Sequence, residues 1–210
     1  MRVEVDSVTL AFGQNVVLEN FSAKFNAGKI TALVGPSGSG KSTLLAAMGG
    51  FVKLRSGKIR LRRDTDSQQA LPVRPEHIGW IPQGANALGA RTVTDNVMIG
   101  VLSAGLSLRE SRTKAHEALE LVGMTHRRDA LARTLSGGEL QRVAFARALA
   151  SQRPLILADE PTSSLDEENT ANIVDLLHGL RANATVIVAT HDPAVIGAVE
   201  EVVHLRGSNA

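Results

Sequence analysis

Gly35-Pro36-Ser37-Gly38-Ser39-Gly40-Lys41-Ser42-Thr43 is the stretch that decides the fold. The apolar run Ile30 to Val34 before it reads as a buried strand, and Lys41 to Met48 after its glycines reads as a helix. Strand, glycine-rich loop and helix in that order make a phosphate-binding loop. Glycines let backbone N–H groups turn inward around phosphate oxygens, and the helix N-terminus adds the positive end of its dipole. Lys41 would then reach the β- and γ-phosphates of a nucleotide, and the Ser42 hydroxyl would hold Mg²⁺. The plainer alternative is a glycine-rich turn that merely caps a helix.

Working outward, the apolar run Leu155-Ile156-Leu157-Ala158 ends in Asp159-Glu160, which places two carboxylates at the C-terminal end of a strand. Ligands of open α/β sheets sit at such ends. Asp159 suits the Mg²⁺ water shell, and Glu160 suits a base that orients and deprotonates an attacking water. Adjacent carboxylates with separate roles point to hydrolysis rather than transfer.

Leu135-Ser136-Gly137-Gly138-Glu139 lies downstream of the loop, followed by Gln141, Arg142, Val143, Ala144, Ala146 and Arg147. With these residues the chain resembles the ATP-binding subunit of ABC transporters over nearly its whole length. Leu135 to Glu139 matches that family's signature motif. Gln83, after the strand Ile78 to Ile81, stands where the family has a glutamine that contacts Mg²⁺ and water and senses the membrane partner. Ser163-Ser164-Leu165-Asp166 is similar to the loop that crosses the dimer interface, and Thr190-His191-Asp192 carries the switch histidine. Phe12 stands where an aromatic stacks on adenine, although its alternation with Val8 and Leu10 also suits a packed strand. Leu140 replaces a glutamine common after the signature Glu, a change expected at the helix surface.

The resemblance implies an α/β fold: a P-loop NTPase core with a parallel sheet, an antiparallel β layer and an inserted α-helical subdomain at about residues 84–150 of a single domain, 1–210. It implies catalytic roles for Glu160, His191, Gln83 and Lys41, and Mg²⁺ contacts from Ser42, Gln83 and Asp159. Nucleotide contacts extend to Phe12, the loop Gly35, Pro36, Ser37, Gly38, Ser39, Gly40, Lys41, Ser42 and Thr43, and Ser136, Gly137, Gly138, Glu139 and Asp166. The implied cofactors are ATP and Mg²⁺. Two copies face each other head to tail, each ATP pinched between Lys41 of one and Ser136 of the other, and separately encoded transmembrane permease subunits complete the machine at the cytoplasmic face of the membrane.

Composition is compatible with this reading. No apolar run approaches the roughly 20 residues that span a bilayer, and Met1-Arg2-Val3-Glu4 begins a strand rather than a signal peptide. Cysteine is absent, which excludes disulfides and thiol chemistry. The pI near 9.3 reflects a net charge of only +2 in a chain without Cys or Tyr, so nucleic acid is not expected as a partner. Arg60, Arg62, Arg63, Arg74 and the Arg127-Arg128 pair read as solvated surface, and His77, His116, His126, His178 and His204 lack ligand spacing.

The strands Val3 to Phe12, Phe21 to Phe25, Lys29 to Val34 and Lys58 to Leu61 are expected in the antiparallel layer, and Arg62 to Pro75 as a surface loop. Thr92 to Val122 has helical spacing, broken near Gly105-Leu106-Ser107. The last strand is expected at Val202 to Leu205, five residues before the end of the sequence, and no appended regulatory domain is expected. That compactness resembles the lipoprotein-release and macrolide-efflux subgroup, so export or extrusion is favoured over import. A soluble ABC ATPase of DNA repair or translation is the alternative, and a P-loop small-molecule kinase would have no use for Leu135 to Glu139.

Overall fold

The computed structural model describes residues 1–63, 66–84, 86–163, 165–181 and 183–205; the side chains of residues 66–69, 167 and 168 lie outside that description. β1 (Arg2–Phe12) and β2 (Asn15–Phe25) form a hairpin, with Leu10 opposite Leu18 and Phe12 opposite Asn15. Gly13 takes φ 61° in the turn, the left-handed backbone that a tight hairpin requires. β4 (Ser56–Arg63) pairs with β1 and β5 (Asp66–Leu71) with β4, giving an antiparallel sheet ordered β2-β1-β4-β5. Its inner face carries Val3, Val5, Val8, Leu10, Leu18, Phe25 and Leu61, all buried.

The second sheet is parallel. Its order is β6 (Ile78–Ile81), β7 (Leu155–Asp159), β8 (Thr185–Ala189), β3 (Ile30–Val34) and β9 (Glu201–His204). β7 and β8 are buried at every position, as strands covered on both faces must be. α1 (Lys41–Met48) follows β3, and α5 (Glu167–Arg181) and the short α6 (Pro193–Gly197) flank β8 in sequence. α2 (Val93–Leu102), α3 (Leu108–Leu121) and α4 (Gly137–Ser151) pack together between β6 and β7 in sequence, through Val97, Val101, Ala115, Leu119, Val143 and Phe145. Each buried Val, Leu or Phe among these is worth about 1.5–3 kcal/mol relative to exposure, and the Ala115 methyl about 0.8 kcal/mol. Capping boxes start the first two of these helices: Thr92 with Asp95, and Ser107 with Glu110.

Two expectations are corrected. Lys29 to Val34 does not join the antiparallel layer: β3 runs inside the parallel sheet between β8 and β9. Thr31 imitates an outward polar position there, yet it is fully buried, and its hydroxyl donates to Glu201 at 3.3 Å. Nor is Arg62 to Pro75 one loop. Arg62 and Arg63 extend β4, and β5 pairs Leu71 with Leu61 and Ala70 with Arg62. A strand on a sheet edge needs only its backbone ladder and tolerates polar side chains. Arg62 also has a partner within the layer, since its Nε donates to Glu4 at 2.7 Å.

Parallel pairing gathers the functional segments at one edge. Gly35 leaves the C-terminal end of β3, Gln83 follows β6, Glu160 follows β7 and His191 follows β8. The register Leu33 to Ala189 to Asp159 fixes their relative height.

Candidate active site at the phosphate-binding loop

The loop between β3 and α1 is shaped by two glycines that cannot be replaced without rearrangement. A Cβ on Gly35 would lie 2.7 Å from the Leu205 carbonyl oxygen and 2.7 Å from Ser39 Oγ. Gly40 has φ 90° and serves as the N-cap of α1, with no side chain capping the helix. No acidic residue occupies the first turn of α1 either. The orphan N–H groups at this end are thus free for an anion, which also meets the positive end of the helix dipole. Ser39 Oγ is buried without a hydrogen-bond partner beside them.

Lys41 folds over this loop. Its Nζ donates to the carbonyl oxygens of Gly35 at 2.8 Å and Pro36 at 3.1 Å, and lies 4.0 Å from Glu160 Oε1. Ser42 Oγ donates to Asp159 Oδ1 at 2.8 Å, which joins the start of α1 to the end of β7. Burial pushes the Asp159 carboxyl above the usual carboxylate range, against the opposing effect of the Ser42 hydrogen bond. An incoming cation would relieve that penalty. Among the described residues no group of three or more His, Asp or Glu could hold a metal unaided. One hydroxyl and one carboxylate beside an anion site suit Mg²⁺, which keeps waters and takes further oxygens from phosphates.

Glu160 adopts φ 44°, left-handed backbone in a residue that pays no glycine discount, and its N–H donates to the Ala189 carbonyl at 2.8 Å. His191 Nδ1 lies 3.0 Å from the Glu160 carboxylate, while the imidazole itself is 76% exposed. His191 is held by a rigid turn: Asp192 N–H donates to Thr190 Oγ1, and Asp192 Oδ1 caps α6 by accepting from Ala194 N–H. Gln83, exposed after β6, completes the rim. Together with Pro36, Ser37, Gly38 and Thr43 these groups line a cleft of about 570 Å³.

Phe12 is not in this cleft's wall, which on the β2 side is built by Val17. Phe12 is 57% exposed, so the packed-strand alternative is corrected: register shifts between Val8, Leu10 and Ala11 break the alternation before it reaches Phe12.

Ser136, Gly137, Gly138 and Glu139 lie elsewhere, at the start of α4. Ser136 Oγ accepts from Glu139 N–H at 3.3 Å, and Glu139 Oε2 accepts from Ser136 N–H at 2.8 Å, a complete capping box. Arg127 Nε sits 3.2 Å from the other Glu139 oxygen. The Ser136 backbone N–H holds the Glu139 carboxyl below the usual range. Gly138 lets α4 approach α5, since a Cβ there would meet Asn169 Oδ1 at 3.3 Å. Asp166 Oδ1 accepts from the Asn169 backbone N–H at 2.9 Å and side-chain amide at 2.8 Å. These residues border a second hollow, about 440 Å³, that shares no lining residue with the first. Ser164 lies outside the described residues. Leu140 is half-buried, its side chain packed on the edge of the helical core from the surface of α4.

Sequence reasoning missed Val17, Arg127 and Asn169. Nothing in spacing marks the first two; Asp166 followed three residues later by Asn169 is a readable helix start.

The sequence matches the family described as ABC transporter over residues 18–163. It is 38% identical over 204 residues to a methionine import ATP-binding protein, MetN, of Rhizobium etli, covering 95% of this chain and 56% of that protein. To the macrolide export ATP-binding/permease protein MacB of Shigella flexneri it is 39% identical over 195 residues, covering 90% of this chain and 30% of that protein. The chain therefore spans about half the length of the first relative and less of the second. Among solved structures, the dimeric ATP-binding cassette MJ0796 in a post-hydrolysis state bound to ADP and Pi superposes with a TM-score of 0.84 at 32% identity, covering 97% of this chain and 94% of that one. The fold is the P-loop ABC ATPase fold, and the chain belongs to the ABC transporter family, whose ATP-binding, ATP-hydrolysing cassette it carries.

Proposed function

We propose that the chain hydrolyses Mg-ATP as one cassette, residues 1–210 with a helical arm at about 84–150, working in head-to-tail pairs against membrane-spanning permease subunits. The observation that carries this reading is the separation of two glycine-bearing surfaces on one chain: the cleft around Lys41 and the hollow around Ser136 have no residue in common. Each nucleotide is sandwiched between the cleft of one copy and the Ser136, Gly137 and Gly138 turn of the other, with Asp166 near the seam. A symmetric pair then has two equivalent sites. The relation to the dimeric cassette bound to ADP and Pi supports the pairing.

Within each site, the free N–H groups of the loop from Gly35 to Thr43 and the Lys41 ammonium bind the phosphates. Ser42, Asp159 and Gln83 would hold Mg²⁺, which when bound would supply Lewis-acid stabilisation of charge on the phosphate oxygens. Glu160 takes the proton of the attacking water, and His191, within hydrogen-bond reach of its carboxylate, keeps it aimed. Phe12 reaches the adenine only if the β1–β2 turn approaches the nucleotide. No helix among the described residues is long and apolar enough to cross a membrane. Pairing with permease subunits would hold the chain peripherally, at the cytoplasmic face.

Export or extrusion is the direction we carry forward, supported by the likeness to a macrolide export protein. Import is the second reading, favoured by the likeness to a methionine import protein. Action on DNA or ribosomes has no support from either relative.

Glu160→Gln tests the core of the proposal. The variant is expected to bind ATP, accumulate as a dimer on gel filtration with Mg-ATP, and lose hydrolysis by about 10²–10⁴-fold. Full turnover in that variant would remove Glu160 as the base.

A further inference from the structure

α2 and α4 meet closely because Gly100 has no side chain: a Cβ there would lie 3.0 Å from both Cγ and the carbonyl oxygen of Arg147. The Arg147 side chain runs through this seam. Its Nε donates to the Asn96 carbonyl at 3.1 Å, one terminal nitrogen to the Asn86 carbonyl at 3.3 Å, and the other lies 3.5 Å from Asn96 Oδ1. Among the described residues it has no ion-pair partner. Burial lowers its guanidinium from the ordinary arginine value.

Asn96, fully buried, secures the same stretch from the other side. Its Oδ1 accepts from Leu88 N–H at 2.7 Å, and its Nδ2 donates to the Leu88 carbonyl at 3.1 Å. Further along, backbone bonds tie Gly89 and Arg91 to Arg133 and Ala132, just before the Ser136 turn. Arg147 is therefore what fastens Asn86, the part nearest Gln83, to α4. Burying a cation against carbonyl oxygens alone is costly, and an apolar side chain would fill a helix seam without that penalty. A planar guanidinium, however, can hold two backbone segments at once.

We propose that Arg147 is a positioning residue which makes the stretch carrying Gln83 move as one body with α4 and its Ser136 end. The effect on turnover rests on the function proposed above; the mechanical linkage does not. A displacement of Gln83 at one composite site is thereby transmitted to the turn that faces the other.

The chain has no native cysteine, so a spin label on Ala87→Cys reports this stretch alone. In Arg147→Lys, which keeps the charge and loses the fork, the label's rotational correlation time shortens, kcat for ATP falls on the order of tenfold through misplacement of Gln83, and the ATP KM stays at the parent value. Arg153→Lys is the control, because Arg153 lies in the same region but bonds the Glu76 carbonyl and Ser103 Oγ; its label and kcat stay unchanged. Should Arg147→Lys fail to fold, Gly100→Ala presses a methyl group on the same side chain and is expected to loosen the label in the same way. An unchanged label or an unchanged kcat overturns the proposal. A parent chain that hydrolyses no ATP would overturn the proposed function instead, and the label alone would then decide the linkage.

Discussion

α1 and α4 both begin on glycine- and serine-bearing turns, and their N-termini are finished in opposite ways. α1 starts from Gly40 with no side-chain cap and no acid in its first turn. α4 starts from Ser136 with a reciprocal capping box to Glu139. The first leaves its N–H groups uncapped beside a buried lysine, and the Asp159 carboxyl near them is raised by burial. The second has a carboxylate already placed where an anion would sit, lowered by the Ser136 N–H. One end of the molecule is incomplete without a ligand, while the other is a finished surface that can be offered to a ligand held elsewhere. That asymmetry gives physical content to a site shared between two copies.

The comparison breaks most directly at Lys41. Lys41→Ala is expected to weaken ATP binding by about 100-fold, since charge-assisted hydrogen bonds contribute roughly 1.5–3 kcal/mol each. Isothermal titration showing parent-like affinity would mean that the open end of α1 is not where phosphates bind.

Ser136 sharpens it, because the hydroxyl has a structural duty as well as the proposed one. Ser136→Ala removes the cap and is expected to cost about 1 kcal/mol of stability, whereas Ser136→Asn keeps a capping side chain and stays near the parent in denaturant unfolding. Both variants should bind ATP as monomers yet hydrolyse it more slowly. Recovery of hydrolysis in Ser136→Asn would reduce the serine to a helix cap.

The smallest expected effect is a pair of opposite pH dependences. Asp159 holds its proton to higher pH in the folded than in the unfolded chain, so stability falls as pH rises through that interval and stays reduced above it. Asp159→Asn should therefore raise the nucleotide-free Tm at pH 7 by roughly 1–3 °C, with no gain below about pH 4. Glu139, lowered in the folded chain, contributes stability above its unfolded pKa that is lost as pH falls through the folded one. Glu139→Ala should then lower Tm at pH 7, by about 0.3–1 kcal/mol in stability terms. Melting curves of the same sign for both would erase the contrast.

Much of this was legible in the sequence because the phosphate loop and its neighbours are local patterns. Gly35 to Thr43, Asp159-Glu160 and the Ser136 turn each declare a backbone conformation within a few residues. What stayed hidden depends on partners far along the chain. β5 reads as polar loop because its strand character comes from the ladder to β4, and Thr31 reads as an outward position because its partner, Glu201, is 170 residues away. Arg147 belongs to a recognisable helix, but its contact with Asn96 joins elements 51 residues apart. The capping box at Ser136 and Glu139 is written in the sequence as serine followed three residues later by glutamate, the same residues that fit a phosphate contact.

Glu160 holds its φ of 44° on a backbone that would suit glycine better, a conformation that costs on the order of 1–3 kcal/mol. Selection must renew that choice in every generation. Glycine would relieve that cost, yet it would also take the carboxylate away from the buried Lys41 ammonium and from His191, so the side chain and the backbone pull in opposite directions at this one position.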